Sequence, residues 1–440
     1  MMKKTLMICM VCVLLLSFTG CSYPATYAGA ISGEEENTGI LSHEGYTLEQ
    51  VVVLSRHNIR SPLSGGNSLL DMITPHEWFA WSSDPSDLSL RGGTLETEMG
   101  QYFRKWLEAE GFFPKNYRPE PGEVRVYANS KQRTIATARF FSAGLLPAED
   151  TPVEYHVDFD TMDPVFTPQL TIVTEAYQAD AEEQIRDLFT DEIEDLSDNY
   201  ELLSDVIDME DSEGFADGTV TAFQTDDSAF ILEENNEPAV TGSLKTACSV
   251  SDALVLQYYE EPSKIKAGFG HRLTQNQWEN IAEIKDVYGD VLFTAPLVAI
   301  NVAHPLLEEI ESELNNDGRR FSFLCGHDSN IGSVLAALSA EEYELPDAIE
   351  KKTPIGSKLV FGRWVNNSGE EFISLDLVYQ SPEQLRRMTL LDLDNQPNAF
   401  SIALQGMDKN ADGLYPAGDV MDRIREAIED YDREVELYEP

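Results

Sequence analysis

Two short stretches hold the residue types from which a reaction could be built. Residues 51–62 read VVVLSRHNIRSP, a run of apolar, mostly β-branched side chains that ends in Arg56, His57 and Arg60. Residues 320–328 read RFSFLCGHD, a second apolar run that ends in His327 and Asp328. Planar guanidinium groups match phosphate oxygens two at a time, so Arg56, Arg60 and Arg133 could clamp a phosphoryl group. Such a clamp acts most strongly on charge that develops in a transition state. A histidine among arginines resists protonation, which leaves its ring neutral and nucleophilic. A leaving alcohol needs a proton, and Asp328 could donate it if its surroundings keep it protonated. Taken singly, an Arg-His or a His-Asp pair is as easily a salt-bridged surface feature. Their placement at two strand ends is what makes them a candidate site.

The elements that must position them are legible from periodicity. The continuous apolar core of residues 47–57 predicts a strand buried on both faces. Leu95, Met99, Phe103 and Leu107 recur at helical spacing until Gly111 interrupts them. EVRVYANS reads as a strand, and KQRTIATARFFSAGLL as a helix that starts beside Arg133. A proline-broken connector, FDTMDPVFTPQL, follows. From residue 171 to 290 acidic, helical patterns dominate, and the acidic runs are most simply a solvated helix face. LVAINVAHPLLEEIESELN and SNIGSVLAAL read as helices; RFSFLCGHD, KLVFGRWV and EFISLDLVYQ read as strands. The expected fold is α/β, a mixed central sheet flanked by helices, with an inserted, mostly helical cap. Its parts are an α/β segment 46–170, a cap 171–290 and a second α/β segment 291–440. In open α/β sheets, sites form outside the carboxyl ends of strands. Both polar clusters fall there.

The chain has 440 residues and a net charge of -47, from 78 acidic and 31 basic side chains. So negative a body repels nucleic acid and anionic membrane, and argues against both as partners. It also requires any anion site to concentrate its positive charge locally. At the N-terminus Lys3 and Lys4 precede TLMICMVCVLLLSF, an apolar run with the charged start of a secretory signal. Thr19 and Gly20 then precede Cys21 as in a bacterial lipoprotein processing site, although Phe18 stands where Leu is commoner. The expectation is a signal peptide 1–20, a lipidated Cys21 and a flexible acidic tether 21–45. The protein would be exported to a bacterial cell surface or periplasm, touching membrane only through that anchor. Of five cysteines only Cys248 and Cys325 lie in the body. They form neither a disulfide framework nor a metal motif; they could pair, and Cys325 reads as a buried thiol. The sequence carries no signal for oligomeric state.

RHNIRSP fits the Arg-His-x-x-Arg-x-Pro signature of the histidine acid phosphatases, a family that includes phytases, and GHDSN fits their His-Asp signature. The resemblance extends through LSLRGGTLETEMGQYFRKWL, VYANSKQRTIATARFF, MDPVFTP, GSLKTACSVSDALVLQYYE, LFTAPLVAINVAHPLL, TPIGSKLVFGRW and VYQSPEQLR, which look like the bacterial glucose-1-phosphatase branch. Asn58 stands where most of the family has Gly and that branch has Asn. The resemblance implies a phosphomonoesterase needing no metal cofactor. His57 would be the nucleophile that becomes phosphohistidine. Arg56, Arg60, Arg133 and His327 would hold the phosphate, and Asp328 would protonate the leaving group. The substrate would be a small-molecule phosphomonoester such as glucose 1-phosphate. Asn58 and Ser61 could line the pocket floor, and Glu237, from the cap segment NNEPAVTGSLK, could touch the sugar. The rivals are a phytase-like inositol phosphatase and a catalytically inactive solute-binding lipoprotein.

One motif stands apart. Residues 408–419, DKNADGLYPAGD, have the spacing of a calcium loop, with Asp408, Asn410, Asp412 and Asp419 as possible ligands around Gly413. The competing reading is a polar turn in which Asp419 caps a helix over VMDRIREAI.

Overall fold

The alternation in residues 51–54 decides how the sheet is covered. Val52 and Leu54 enter one apolar cluster and Val51 and Val53 another, so this strand is buried on both faces. The structure is a computed structural model that describes residues 42–63 and 68–438. The expected signal peptide, Cys21 and most of the tether lie outside the described residues. The strands are β1 (Tyr46–Arg56), β2 (Val124–Ala128), β3 (Ala229–Ile231), β4 (Ala239–Thr241), β5 (Phe321–Gly326), β6 (Lys358–Asn366), β7 (Glu371–Tyr379), β8 (Asn398–Ser401) and β9 (Tyr415–Pro416). The central sheet runs β2-β5-β1-β6-β7-β8, with β9 also paired to β7. β2, β5 and β1 are parallel, while β6, β7, β8 and β9 add antiparallel, so the sheet is mixed as expected.

Helices α1 (Leu69–Met72), α2 (Leu90–Ala109) and α3 (Gln132–Leu145) precede the acidic segment. That segment forms α4 (Glu175–Asp195), α5 (Ser197–Val206), α6 (Glu213–Asp217), α7 (Ser243–Glu260), α8 (Lys264–Ala267) and α9 (Gln275–Phe293). The chain then returns through α10 (Pro296–Leu314), α11 (Asp328–Ala337), α12 (Pro382–Arg387) and α13 (Ala417–Tyr438). α2 and α3 cover one face of the sheet; α10, α11 and α13 cover the other. A third cluster holds the acidic segment together and takes in Ile59, Leu95, Ile349 and Ile355 from outside it. Two features of the cap were not expected. α9 continues past residue 290, and the short hairpin β3–β4 interrupts the helices.

Two buried carboxylates bind their protons more tightly than usual. Burial pushes Asp376, on β7, up to about 6. Glu434, on α13, is only 6% exposed and neither carboxylate oxygen has a partner. Burial and the nearby Asp430 push it up to about 8. A carboxyl whose folded pKa is raised binds its proton more tightly in the fold. Its stabilisation is present at low pH and is lost as pH rises through the folded value. The thermal midpoint is therefore expected to fall between about pH 5 and about pH 8. Glu434→Gln should flatten that slope in melts followed by circular dichroism.

Candidate active site

Strand register brings the chemistry together. Arg56, the last residue of β1, lies beside Gly326, the last of β5, and Ala128 of β2 lies beside Cys325. The next residue along each strand, His57, His327 and Asn129, therefore emerges at one sheet edge. The His57 amide donates to the Gly326 carbonyl at 3.0 Å, and the Asn129 amide to the Cys325 carbonyl at 2.9 Å. The rings of His57 and His327 meet edge to face, with centroids 5.4 Å apart.

Hydrogen bonds assign the two rings opposite faces. His57 Nδ1 lies 2.9 Å from the Asn58 carbonyl. A carbonyl only accepts, so Nδ1 carries the hydrogen and Nε2 presents a lone pair. Asn129 anchors its own carbonyl oxygen on the Asp163 amide, which turns its amino group to His327 Nε2 at 2.7 Å. His327 Nε2 therefore accepts, and its Nδ1–H is left to donate. Burial and then Arg133, His327, Arg60 and Arg56 hold the His57 ring well below the usual histidine pKa. Burial and Arg133 do the same to His327. Both rings are thereby held toward the neutral form.

Around them stand the cations. Arg56 is 1% exposed; it pairs with Glu350 at 2.7 Å and Asp328 at 3.3 Å, and donates to the Thr353 carbonyl. Arg60 pairs with Asp252 of α7 at 3.0 Å. Arg133, in the first turn of α3, has a guanidinium lowered to about 10 by burial and by Arg60. The Nε atoms of Arg56, Arg60 and Arg133 are all buried without a hydrogen-bond partner. Buried donors usually find a partner, and three such guanidinium groups beside His57 offer hydrogen bonds to an anion. Asp328 opens α11, where the helix N-terminus adds its own attraction for an anion.

The role given to Asp328 was conditional. Burial opposes its ionisation, but Lys285 and Arg56 outweigh burial and hold the carboxyl well below the usual range. The Lys285 ammonium is 2.9 Å away. These cations favour the charged form of Asp328, so the condition set for its role as an acid, surroundings that keep it protonated, is not met by Lys285 and Arg56 alone.

Asn58 and Ser61 depart from expectation, because neither side chain lines the cavity. Asn58 turns beneath the loop: its amino group donates to Glu96 at 2.8 Å, and its carbonyl oxygen accepts from the Ile59 amide at 2.8 Å. Ser61 is tied to Ser83, with the two hydroxyls 2.7 Å apart. The floor under the loop is an ion pair, Glu96 of α2 with Lys358 of β6 at 3.0 Å, both fully buried. Lys358 also donates to the Ser55 hydroxyl at 3.1 Å and the Gly356 carbonyl at 2.7 Å. Close approach here requires glycine twice. Gly356 has φ +70°, and a Cβ there would sit 2.6 Å from the Asn58 amide nitrogen. A Cβ on Gly92 of α2 would sit 2.3 Å from the Ile59 carbonyl.

A cavity of about 660 Å³ opens above this floor. His57, Arg60, Arg133, His327 and Asp328 line it from the body, and Glu237, Asp252 and Lys285 from the acidic segment. Glu237 precedes β4; burial and Asp328 raise its pKa, while Arg133 opposes them. The possible calcium loop lies elsewhere. Asn410 accepts from the Asp412 and Leu414 amides at 3.0 Å, and Asp412 accepts from the Tyr46 hydroxyl at 2.8 Å. Asp419 sits in the first turn of α13. Among the described residues, no group of three or more His, Cys, Asp or Glu side chains is set to hold a metal. These contacts are those of a polar turn. Cys248 and Cys325 are both free and buried.

Sequence reasoning missed Lys285, Glu350, Asp252 and Asn129. Asn129 carried a signal, since it follows β2 as His57 and His327 follow their strands. Asp252 was a lone carboxylate on the apolar stretch of α7. Lys285 and Glu350 have no local signature; only the fold brings Lys285 of α9 and Glu350, from the loop before β6, to Arg56 and Asp328.

With that geometry in view, comparison with known proteins is specific. The family described as "Histidine phosphatase superfamily (branch 2)" matches residues 47–379, and the chain belongs to it. It is a histidine acid phosphatase, a hydrolase of phosphomonoesters. It is 38% identical over 397 residues to a protein of Salmonella typhimurium named Glucose-1-phosphatase, covering 88% of this chain and 94% of that one. It is 28% identical over 391 residues to Phytase AppA of Escherichia coli, covering 83% of this chain and 89% of that one. Among solved structures it resembles the apo form of Hafnia alvei phytase, with a TM-score of 0.81, 26% identity, and coverage of 89% and 99%.

Proposed function

We infer that this enzyme works through a covalent phosphohistidine on His57, and that the alcohol it releases is a sugar. The observation that carries the chemistry is the trio of buried, unpartnered guanidinium Nε groups about a neutral His57. Arg56, Arg60, Arg133 and the Nδ1–H of His327 hold the phosphoryl oxygens. The Nε2 lone pair of His57 attacks phosphorus as the P–O bond to the alcohol breaks. Below a pH of about 6 a phosphomonoester keeps one proton. That proton passes to Asp328 as the bound anion offsets Lys285 and Arg56, and from Asp328 to the leaving oxygen. Water then attacks the phosphohistidine, giving its proton to the Asp328 carboxylate. Because His57 is held neutral, the acid limb of kcat/KM is expected well below the ordinary histidine pKa, as read from a pH–rate profile.

Asp328→Asn tests the acid. With glucose 1-phosphate it should lower kcat roughly 10²- to 10⁴-fold. With p-nitrophenyl phosphate, whose leaving group needs no proton, the loss should be far smaller. Equal losses on both would remove Asp328 from that role.

The sugar reading is supported by the Salmonella relative and by Glu237 on the cavity wall. A phytase reading draws on the resemblance to Phytase AppA and to the Hafnia alvei phytase. The acidic cap favours the sugar, since its carboxylates repel a multiply charged inositol phosphate over about a Debye length, ~8 Å. Turnover of phytate comparable to that of glucose 1-phosphate would overturn it. Glu237→Gln is expected to raise KM for glucose 1-phosphate roughly tenfold with kcat little changed. We also propose export as a lipoprotein through Cys21. Detergent-phase partitioning that survives Cys21→Ser would refute the anchor.

A further inference from the structure

Beyond the phosphate cradle the cavity continues along α11. Its wall takes Asp328 and Ser329 from the first turn of that helix and Leu335 and Ala336 from the last. At 1.5 Å per residue this is a run of about 12 Å. α9 faces it with Tyr288, Gly289, Leu292 and Phe293. Two glycines keep the passage open. Nothing lies within 4 Å of a Cβ placed on Gly289, and the nearest atom to one on Gly332 is 3.9 Å away.

The far end has a different character. Glu192, Asp290, Glu341 and Glu342 line it, with Lys352 the one cation among the lining residues there. Lys352 is drawn over the Tyr343 ring, 5.6 Å from its centroid. Burial raises the Asp290 carboxyl to about 6, with Glu192 and Glu342 adding to it against Lys352. The total volume, about 660 Å³, is of the size that encloses a whole drug-sized ligand. A single hexose bearing one phosphate leaves the outer lobe unfilled.

We propose that this outer lobe is a leaving-group subsite for phosphomonoesters whose alcohol runs through an apolar middle to an uncharged or cationic end. The inference rests on the phosphomonoesterase reading above and extends its substrate class past a single sugar to longer alcohols. Apolar contact along α9 and α11 favours a longer alcohol. The acidic end disfavours a second anion, by a margin that salt reduces because that end opens to solvent.

The test is steady-state kcat/KM of the whole protein at mildly acidic pH on ethyl phosphate, hexyl phosphate, 6-aminohexyl phosphate and hexane-1,6-diol bisphosphate. Hexyl phosphate should exceed ethyl phosphate by roughly tenfold or more. The amino compound should equal or exceed hexyl phosphate. The bisphosphate should fall below both, with the gap closing as salt is added. Ala336→Trp fills the lobe far from Asp328 and should abolish the advantage of the long chain while ethyl phosphate is turned over as before. Gly289→Leu fills it from the opposite wall if the first variant does not fold. Equal rates for ethyl and hexyl phosphate, a bisphosphate preferred over both, or a blocked lobe that slows short and long substrates alike would each overturn the subsite. In all three cases ethyl phosphate is still hydrolysed, so the phosphatase reading survives. Turnover of none of the esters would refute that reading itself.

Discussion

Replacing His57 by alanine is expected to lower kcat at least about a thousandfold, because the imidazole that takes the phosphoryl group is lost. The fold should survive, since the ring's hydrogen bond is to the carbonyl of its own neighbour. Alkaline quenching during turnover of ³²P-labelled substrate should trap a labelled wild-type protein and an unlabelled variant. The label should be stable to alkali and labile to acid, as a phosphoramidate is. His327→Ala offers the contrast. It removes a donor to the phosphoryl oxygens and leaves the nucleophile, so labelling should persist at a reduced rate. A His57→Ala variant with full activity would refute the assignment, and with it the role given to the arginines.

The second large effect is expected beneath the site. Glu96 and Lys358 are both fully buried, and burial raises the Glu96 carboxyl even against Lys358. Glu96→Ala leaves the ammonium without its counterion and should cost about 3–5 kcal/mol of stability, measured by urea unfolding. Replacing both residues by methionine should recover much of that loss, because a buried pair exchanged for apolar groups is often close to neutral. Activity should not recover with stability. The Asn58 amide would still lack its acceptor, and the Asn58 carbonyl that orients His57 would be less firmly held. A double variant that regains both stability and kcat would make the pair purely structural. The pair also explains why Asn58 could be misplaced from sequence. A polar residue beside a nucleophile reads as a substrate contact, yet here its partner is a carboxylate on α2, far away in sequence.

The remaining differences have the same origin. Residue type and position along a strand are local, so β1, β5 and the residues that follow them were readable, as was Arg133 at the start of α3. Charge state is not local. The sequence could say only that Asp328 would serve as an acid if its surroundings kept it protonated; Lys285, arriving on α9 from the acidic segment, favours the ionised form.

What the chain's order of residues determined by itself was the chemistry: strands buried on both faces, each delivering histidine and charge at its carboxyl end, in a body otherwise too acidic to hold an anion. These follow from periodicity and residue type, which act within a few positions. Only the tertiary structure decided which charges meet, which tautomer His327 adopts and how far the cavity extends past the phosphate. Those depend on groups hundreds of residues apart brought within hydrogen-bonding distance in a buried, low-dielectric site, where a single neighbouring charge outweighs every local preference.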